Sequence, residues 1–168
     1  RNKKRITLSL FNKFYTEREI LEIFYKSTNG DKWNRNDNWL SDKPLKEWYG
    51  IEVYENSEEK FIVKKMYLNH NQLLGEIPKE IGKLKNLKYL DLSNNKLTGE
   101  IPKEIGKLIN LQSLNLHNNK LTGEIPKEIG KLINLRYLHL FNNQLTGEIH
   151  KEIGKLTNLQ ILWLNNNQ

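Results

Sequence analysis

The chain has 168 residues, no cysteine and a formal net charge of +7. That length bounds it to about one domain, and the missing cysteines exclude disulfides, thiolate metal sites and cysteine nucleophiles. No apolar run approaches the ~18 residues of a membrane span, and the excess charge is scattered: residues 6–62 hold 8 basic and 11 acidic side chains, residues 63–168 hold 15 and 9, whereas a nucleic-acid interface needs a coherent basic stripe.

Residues 1–14 are basic and weakly patterned and read as a flexible N-terminus with no apolar core of a signal peptide. Thr16-Glu17-Arg18-Glu19 has the spacing of a capping box, and Ile20, Ile23 and Phe24, with Leu21 beside them, form one apolar face. The spacing predicts a helix over 16–28, with Asn29-Gly30 supplying the left-handed residue that stops it. Trp33, Trp39 and Trp48 follow within sixteen residues. They predict the core of a terminal cap over 15–62, because a stacked-repeat protein must cover its first repeat; a sugar- or base-stacking platform is the weaker alternative. Asp31, Asn36, Asp37 and Asn38 lack the spacing of a calcium loop and read as turn residues. Residues 55–60 are polar, a loop leading to a strand at Phe61, Ile62 and Val63.

From residue 63 the chain repeats every 24 residues. VKKMYLNHNQLLGEIPKEIGKLKN at 63–86 is followed by LKYLDLSNNKLTGEIPKEIGKLIN at 87–110, by LQSLNLHNNKLTGEIPKEIGKLIN at 111–134 and by LRYLHLFNNQLTGEIHKEIGKLTN at 135–158; LQILWLNNNQ closes the sequence. Leu at positions 1, 4, 6 and 11 with Asn at 9 is the signature of leucine-rich repeats. Leu90 and Leu92 alternate with Tyr89, Asp91 and Ser93, which marks a strand with one buried face. Asn95 turns inward to bond free backbone groups, and Asn71, Asn119, Asn143 and Asn167 extend it into a structural ladder. A second short strand is expected over 97–101, with Gly99 at a tight turn, then a 3₁₀ turn on the convex side after Pro102. His150 stands where the other repeats have proline, so that turn should be softer. Burying the seven apolar positions of one repeat yields roughly 10–20 kcal/mol, while ordering its backbone costs about 1–2 kcal/mol per residue, so a repeat folds only in a stack. The fold class is α/β, mostly β: a right-handed solenoid over 63–168 with a parallel concave sheet, 3₁₀ turns outside and a helical, Trp-rich N-terminal cap.

Phe24-Tyr25-Lys26-Ser27-Thr28-Asn29-Gly30-Asp31-Lys32-Trp33, with Asn38-Trp39-Leu40 and Trp48-Tyr49-Gly50-Ile51, resembles the N-terminal cap of plant-type leucine-rich-repeat proteins. Leu-Thr-Gly-Glu-Ile-Pro at 97–102 and 121–126 resembles the same subclass, so the likeness covers about residues 15–168. It implies recognition of a protein or peptide ligand on the concave face, as in receptor-kinase ectodomains and polygalacturonase-inhibiting proteins. Secreted plant members carry a cysteine pair near the Trp-x-Gly-Val of the cap; Lys46–Val53 has none, which resembles bacterial and protist members. Together with the lack of Asn-x-Ser/Thr sequons, this leans against a disulfide-bonded eukaryotic secreted ectodomain.

Function is expected where the copies differ. The Lys-Glu-Ile-Gly-Lys segment is the same in all four full copies, but the outward strand positions vary. Tyr67, Tyr89, Asp91, His117, Tyr137, His139, Phe141, Ile161 and Trp163 form the predicted ligand-binding strip, aromatic toward its C-terminal end. No nucleophile–base arrangement or phosphate loop appears, so the chain reads as non-catalytic, without cofactor. His117 and His139 with Asp91 are too few and too loosely placed to predict a metal. Leu159, Leu162 and Leu164 would lie at an unpaired strand edge, which points to a fragment of a longer array or, alternatively, to self-assembly or a homodimer through that edge.

Overall fold

The computed structural model describes residues 14–55 and 61–168; of the flexible start expected over 1–14 and the loop expected over 55–60, residues 1–13 and 56–60 lie outside the described residues, and Glu55 ends a strand. Helix α1 (Glu17–Ser27) begins at its capping box: the Glu19 amide donates to Thr16 Oγ1 and the Thr16 amide to Glu19 Oε2. Its buried face is Ile20, Leu21, Phe24 and Tyr25. Asn29, not the glycine, takes the left-handed backbone, at φ 56°. Gly30 is needed for space, because a Cβ there would meet the Tyr25 ring.

The three tryptophans are buried with Phe24 and Tyr25, ring centroids 4.9–6.1 Å apart. Each indole N–H donates to a carbonyl, Trp33 to Thr28, Trp39 to Tyr49 and Trp48 to Lys43, so the polar edges are satisfied as the rings are buried. Arg18 lies 4.9 Å over the Trp48 ring and donates to Ser41 O and Lys43 O. Asp31 and Asn36 are turn residues tied to the Tyr25 hydroxyl. The cap then binds the first repeat by its backbone: the Val63 amide donates to the Glu17 carboxylate, the Asn34 amide to Asn71 O and the Arg35 amide to Asn71 Oδ1. Burial raises the Glu17 pKa, and the Val63 amide offsets part of that rise.

The strands in chain order are β1 (Ile51–Glu55), β2 (Phe61–Tyr67), β3 (Leu74–Glu76), β4 (Tyr89–Asp91), β5 (Lys96–Thr98), β6 (Ser113–Asn115), β7 (Thr122–Glu124), β8 (Tyr137–His139), β9 (Gln144–Thr146) and β10 (Ile161–Trp163). One six-stranded sheet runs β1-β2-β4-β6-β8-β10, parallel except for the antiparallel β1–β2 pair. The chain is therefore a solenoid with one strand of this sheet per 24 residues, and β1 is the cap's contribution to it. The second strands pair only as β3–β5 and β7–β9, linked by a single bridge from Glu100 to Thr122.

Leu87, Leu90, Leu92, Leu97, Ile101, Ile105 and Leu108, one full repeat, are all at most 2% exposed. Between them runs the asparagine ladder. Asn95 Oδ1 accepts from the Asn71 and Leu73 amides, and its Nδ2 donates to the Leu68 and Leu92 carbonyls. One and two turns on, Asn119 and Asn143 accept from the single amides of Leu97 and Leu121 and again donate to two leucine carbonyls; Asn167 accepts from the Leu145 amide, and Asn71 turns to Arg35 of the cap. The 3₁₀ turns Lys79–Lys83, Lys103–Lys107, Lys127–Lys131 and Lys151–Lys155 stack on the outside. His150 holds φ −64° against −66° at Pro102, so the turn keeps the same backbone geometry without the ring; its imidazole lies 3.2 Å from Glu124.

Candidate recognition surface

The parallel register sets the strip. Lys65, Tyr89, Ser113, Tyr137 and Ile161 form one row across the strands, and Tyr67, Asp91, Asn115, His139 and Trp163 the next. His117 and Phe141 lie two residues past the ends of β6 and β8. Because side chains alternate, these rows share the face opposite the leucine core. All the predicted ligand-binding residues lie on it.

The strip has two chemically different ends. At the N-terminal end Lys65 Nζ sits 5.7 and 5.6 Å from the Tyr67 and Tyr89 ring centroids and 2.8 Å from Glu52 Oε2. The Tyr89 hydroxyl donates to Gln112 Oε1, as Tyr137 does to Gln160. Asp91 Oδ1 is held by the amide and hydroxyl of Ser93; that serine is 3% exposed, so it is a brace rather than an outward contact.

At the C-terminal end the rings stack in pairs. His117 lies on Phe141 at 4.4 Å and 9° between planes, and His139 on Trp163 at 4.6 Å and 18°. Trp163 keeps 49% of its surface exposed. Burial lowers both histidine pKa values from 6.5; for His139 the neighbouring His117 lowers it further, and Asp91 opposes the shift in each. Among the described residues, Asn115 Oδ1, His117 Nδ1 and His139 Nε2 are buried without a hydrogen-bond partner. The histidines are therefore built into an aromatic stack with unused polar capacity at its base. Among the described residues no three His, Cys, Asp or Glu side chains are grouped to hold a metal.

The leucine-rich repeat region matches residues 62–168, more than half of the chain. The chain is a leucine-rich-repeat protein. No curated protein matched it. Among solved structures it is similar to the BIR3–SERK2 complex from Arabidopsis thaliana, with 30% identity and a TM-score of 0.73 over 87% of this chain and 81% of that one. A plant ice-binding protein gives 29% and 0.81 over 90% and 48%. The plant peptide hormone receptor RGFR1 in complex with RGF2 gives 40% and 0.63 over 72% and 22%. The repeat protein thus shares its fold with plant receptor ectodomains, but is cysteine-free.

One feature of the repeat protein's surface escaped the sequence reading. Asn94, Asn118, Asn142 and Asn166 sit at φ 53–58° and chain side to side, with Asn118, Asn142 and Asn166 each donating an Nδ2 hydrogen at 2.6 Å to the Oδ1 of the asparagine one repeat earlier. Asparagine tolerates left-handed backbone better than other non-glycine residues, and the Asn-Asn pairs were the available signal. This second ladder borders the strip beyond Phe141.

Proposed function

We propose that the repeat protein recognises a protein or peptide ligand, without catalysis, through the strip Tyr67, Tyr89, Asp91, His117, Tyr137, His139, Phe141, Ile161 and Trp163, as a module of a longer receptor-like or effector-like protein. The observation that carries this reading is the aromatic cluster of half-buried Phe141 and exposed Trp163 beside polar atoms with no partner among the described residues. Exposed aromatics on a rigid sheet are the raw material of binding hot spots. The receptor neighbours, crystallised with a protein and with a peptide partner, support the same class of ligand. The ice-binding neighbour shares the scaffold equally well, so the ligand must be argued from the strip and not the fold. Six strands at about 4.8 Å spacing span about 24 Å, the reach of an extended peptide of about seven residues. A random dodecapeptide library displayed on phage and selected on the whole chain tests the reading. Peptides should enrich on the wild type and not on a Phe141→Ala/Trp163→Ala variant that still folds; equal enrichment on both would defeat the assignment.

A further inference from the structure

Within residues 63–168 the carboxylates are segregated. Glu76, Glu100, Glu124 and Glu148 lie on or beside the second strands, and four more line the outer 3₁₀ turns. Asp91 alone is on a sheet strand, and Ser93 already holds one of its oxygens. The basic side chains follow a different pattern. Eight of the fifteen alternate with glutamates in the outer turns, but Lys64, inside β2, and Lys88 and Arg136, just before β4 and β8, share one repeat position, while Lys96, the first residue of β5, and Lys120 follow the asparagine turn. The first of these positions borders the strip directly, since its Gln112 and Gln160 accept from Tyr89 and Tyr137. Among the described residues no carboxylate pairs with any of these five, whereas Lys65 is matched by Glu52. The mixed charge read from composition therefore belongs to the outer surface, and the edge of the strip at Lys64, Lys88 and Arg136 is basic.

We infer that the ligand of this face is an acidic, extended polypeptide, its carboxylates over the Lys64–Lys88–Arg136 rim and one apolar or aromatic side chain against Phe141 and Trp163. This rests on the recognition reading above and adds the ligand's charge to it. The cations along this rim, with no carboxylate partner among the described residues, attract an acidic partner and repel a basic one, which sets selectivity and on-rate more than final affinity. The aromatic end, which carries no fixed charge of its own, supplies the anchor. The Lys64 side borders the tyrosine row, since the same repeat position holds the Gln112 and Gln160 that accept from Tyr89 and Tyr137.

The test extends the same phage selection. Sequences enriched on the wild type should be rich in Asp and Glu and contain an aromatic residue. A synthetic copy of the most enriched one, followed by fluorescence anisotropy, should bind about tenfold or more weakly to a Lys64→Glu/Lys88→Glu/Arg136→Glu variant, and should weaken as salt rises. Circular dichroism of the variant shows that it is folded. Enriched peptides of neutral or basic composition, still dependent on Phe141 and Trp163, would overturn the charge inference and leave the recognition reading standing. Failure of any peptide to enrich would overturn both. A single-stranded oligonucleotide that binds the wild type more tightly than the enriched peptide would overturn the inference and give the basic rim to nucleic acid.

Discussion

Asn119→Ala should cost about 2–4 kcal/mol of folding stability, a figure that follows from its bonds. The Leu97 amide donates only to Asn119 Oδ1, so removal of the side chain orphans a buried N–H, at about 1–3 kcal/mol. The Leu92 and Leu116 carbonyls lose one donor each but keep Asn95 and Asn143, a smaller loss of roughly 0.5 kcal/mol apiece. Asn119→Asp separates polar chemistry from volume. Its carboxylate could still accept from Leu97, but it would set an oxygen against two carbonyl oxygens and bury a charge, so it should be at least as damaging as alanine. Asn118→Gly is the control: it keeps the left-handed backbone and removes only the side-chain bonds to Asn94 and Asn142, for less than about 1 kcal/mol. Urea unfolding followed by circular dichroism measures all three. A loss below about 1 kcal/mol for Asn119→Ala, or a milder effect for aspartate than for alanine, would refute the reasoning.

Three further outcomes are expected. Gly106→Ala should destabilise by about 1–3 kcal/mol because a Cβ there meets Glu128 of the next turn, while Gly154→Ala, with open space, should be nearly neutral; their urea midpoints make the comparison. Trp48→Ala, removing a ring 1% exposed, should cost about 3–5 kcal/mol and loosen the cap first, visible as early loss of tryptophan fluorescence relative to circular dichroism. Acidification below pH 6.5 should weaken the fold through His117 and His139. Their folded pKa values lie below 6.5, so their contribution is complete above that value and is lost as pH falls toward the depressed folded values. Glu17 acts oppositely: its folded pKa lies above 4.5, so its contribution is present below that and is lost as pH rises through the folded value. A His117→Phe variant, compared with wild type at pH 7.5 and 5.5, isolates the histidine part, and an unchanged acid sensitivity would contradict it.

Much of this fold was legible because one pattern recurs. The leucine spacing marks the buried face, Asn95 and its counterparts mark the turn, and Thr16 and Glu19 mark the start of α1. What stayed hidden depends on pairing across the chain. Ile51–Glu55 is too short an alternation to announce a strand, and it exists because β2 offers an edge. The constancy of Lys-Glu-Ile-Gly-Lys has a packing cause in its glycine, which lets successive turns approach the glutamate carbonyls, and none of that is visible in a single copy. Ser93 looked like an outward residue by alternation alone, yet its bond to Asp91 draws it under cover. The strip residues were legible as a row of variable positions; their stacking into His–ring pairs, and the separation of charge between the two surfaces, required the register.

The asparagine ladder also has a direction. Each side-chain oxygen reaches back to an amide of the preceding repeat, Asn119 to Leu97 and Asn143 to Leu121, never forward. A chain leaving the ribosome therefore exposes the Leu97 amide 22 residues before the group that satisfies it arrives. Every turn waits for its successor to close, like a row of knitting in which each stitch is held only by the next, and the cap, which needs no such successor for its own tryptophan bonds, is free to set first.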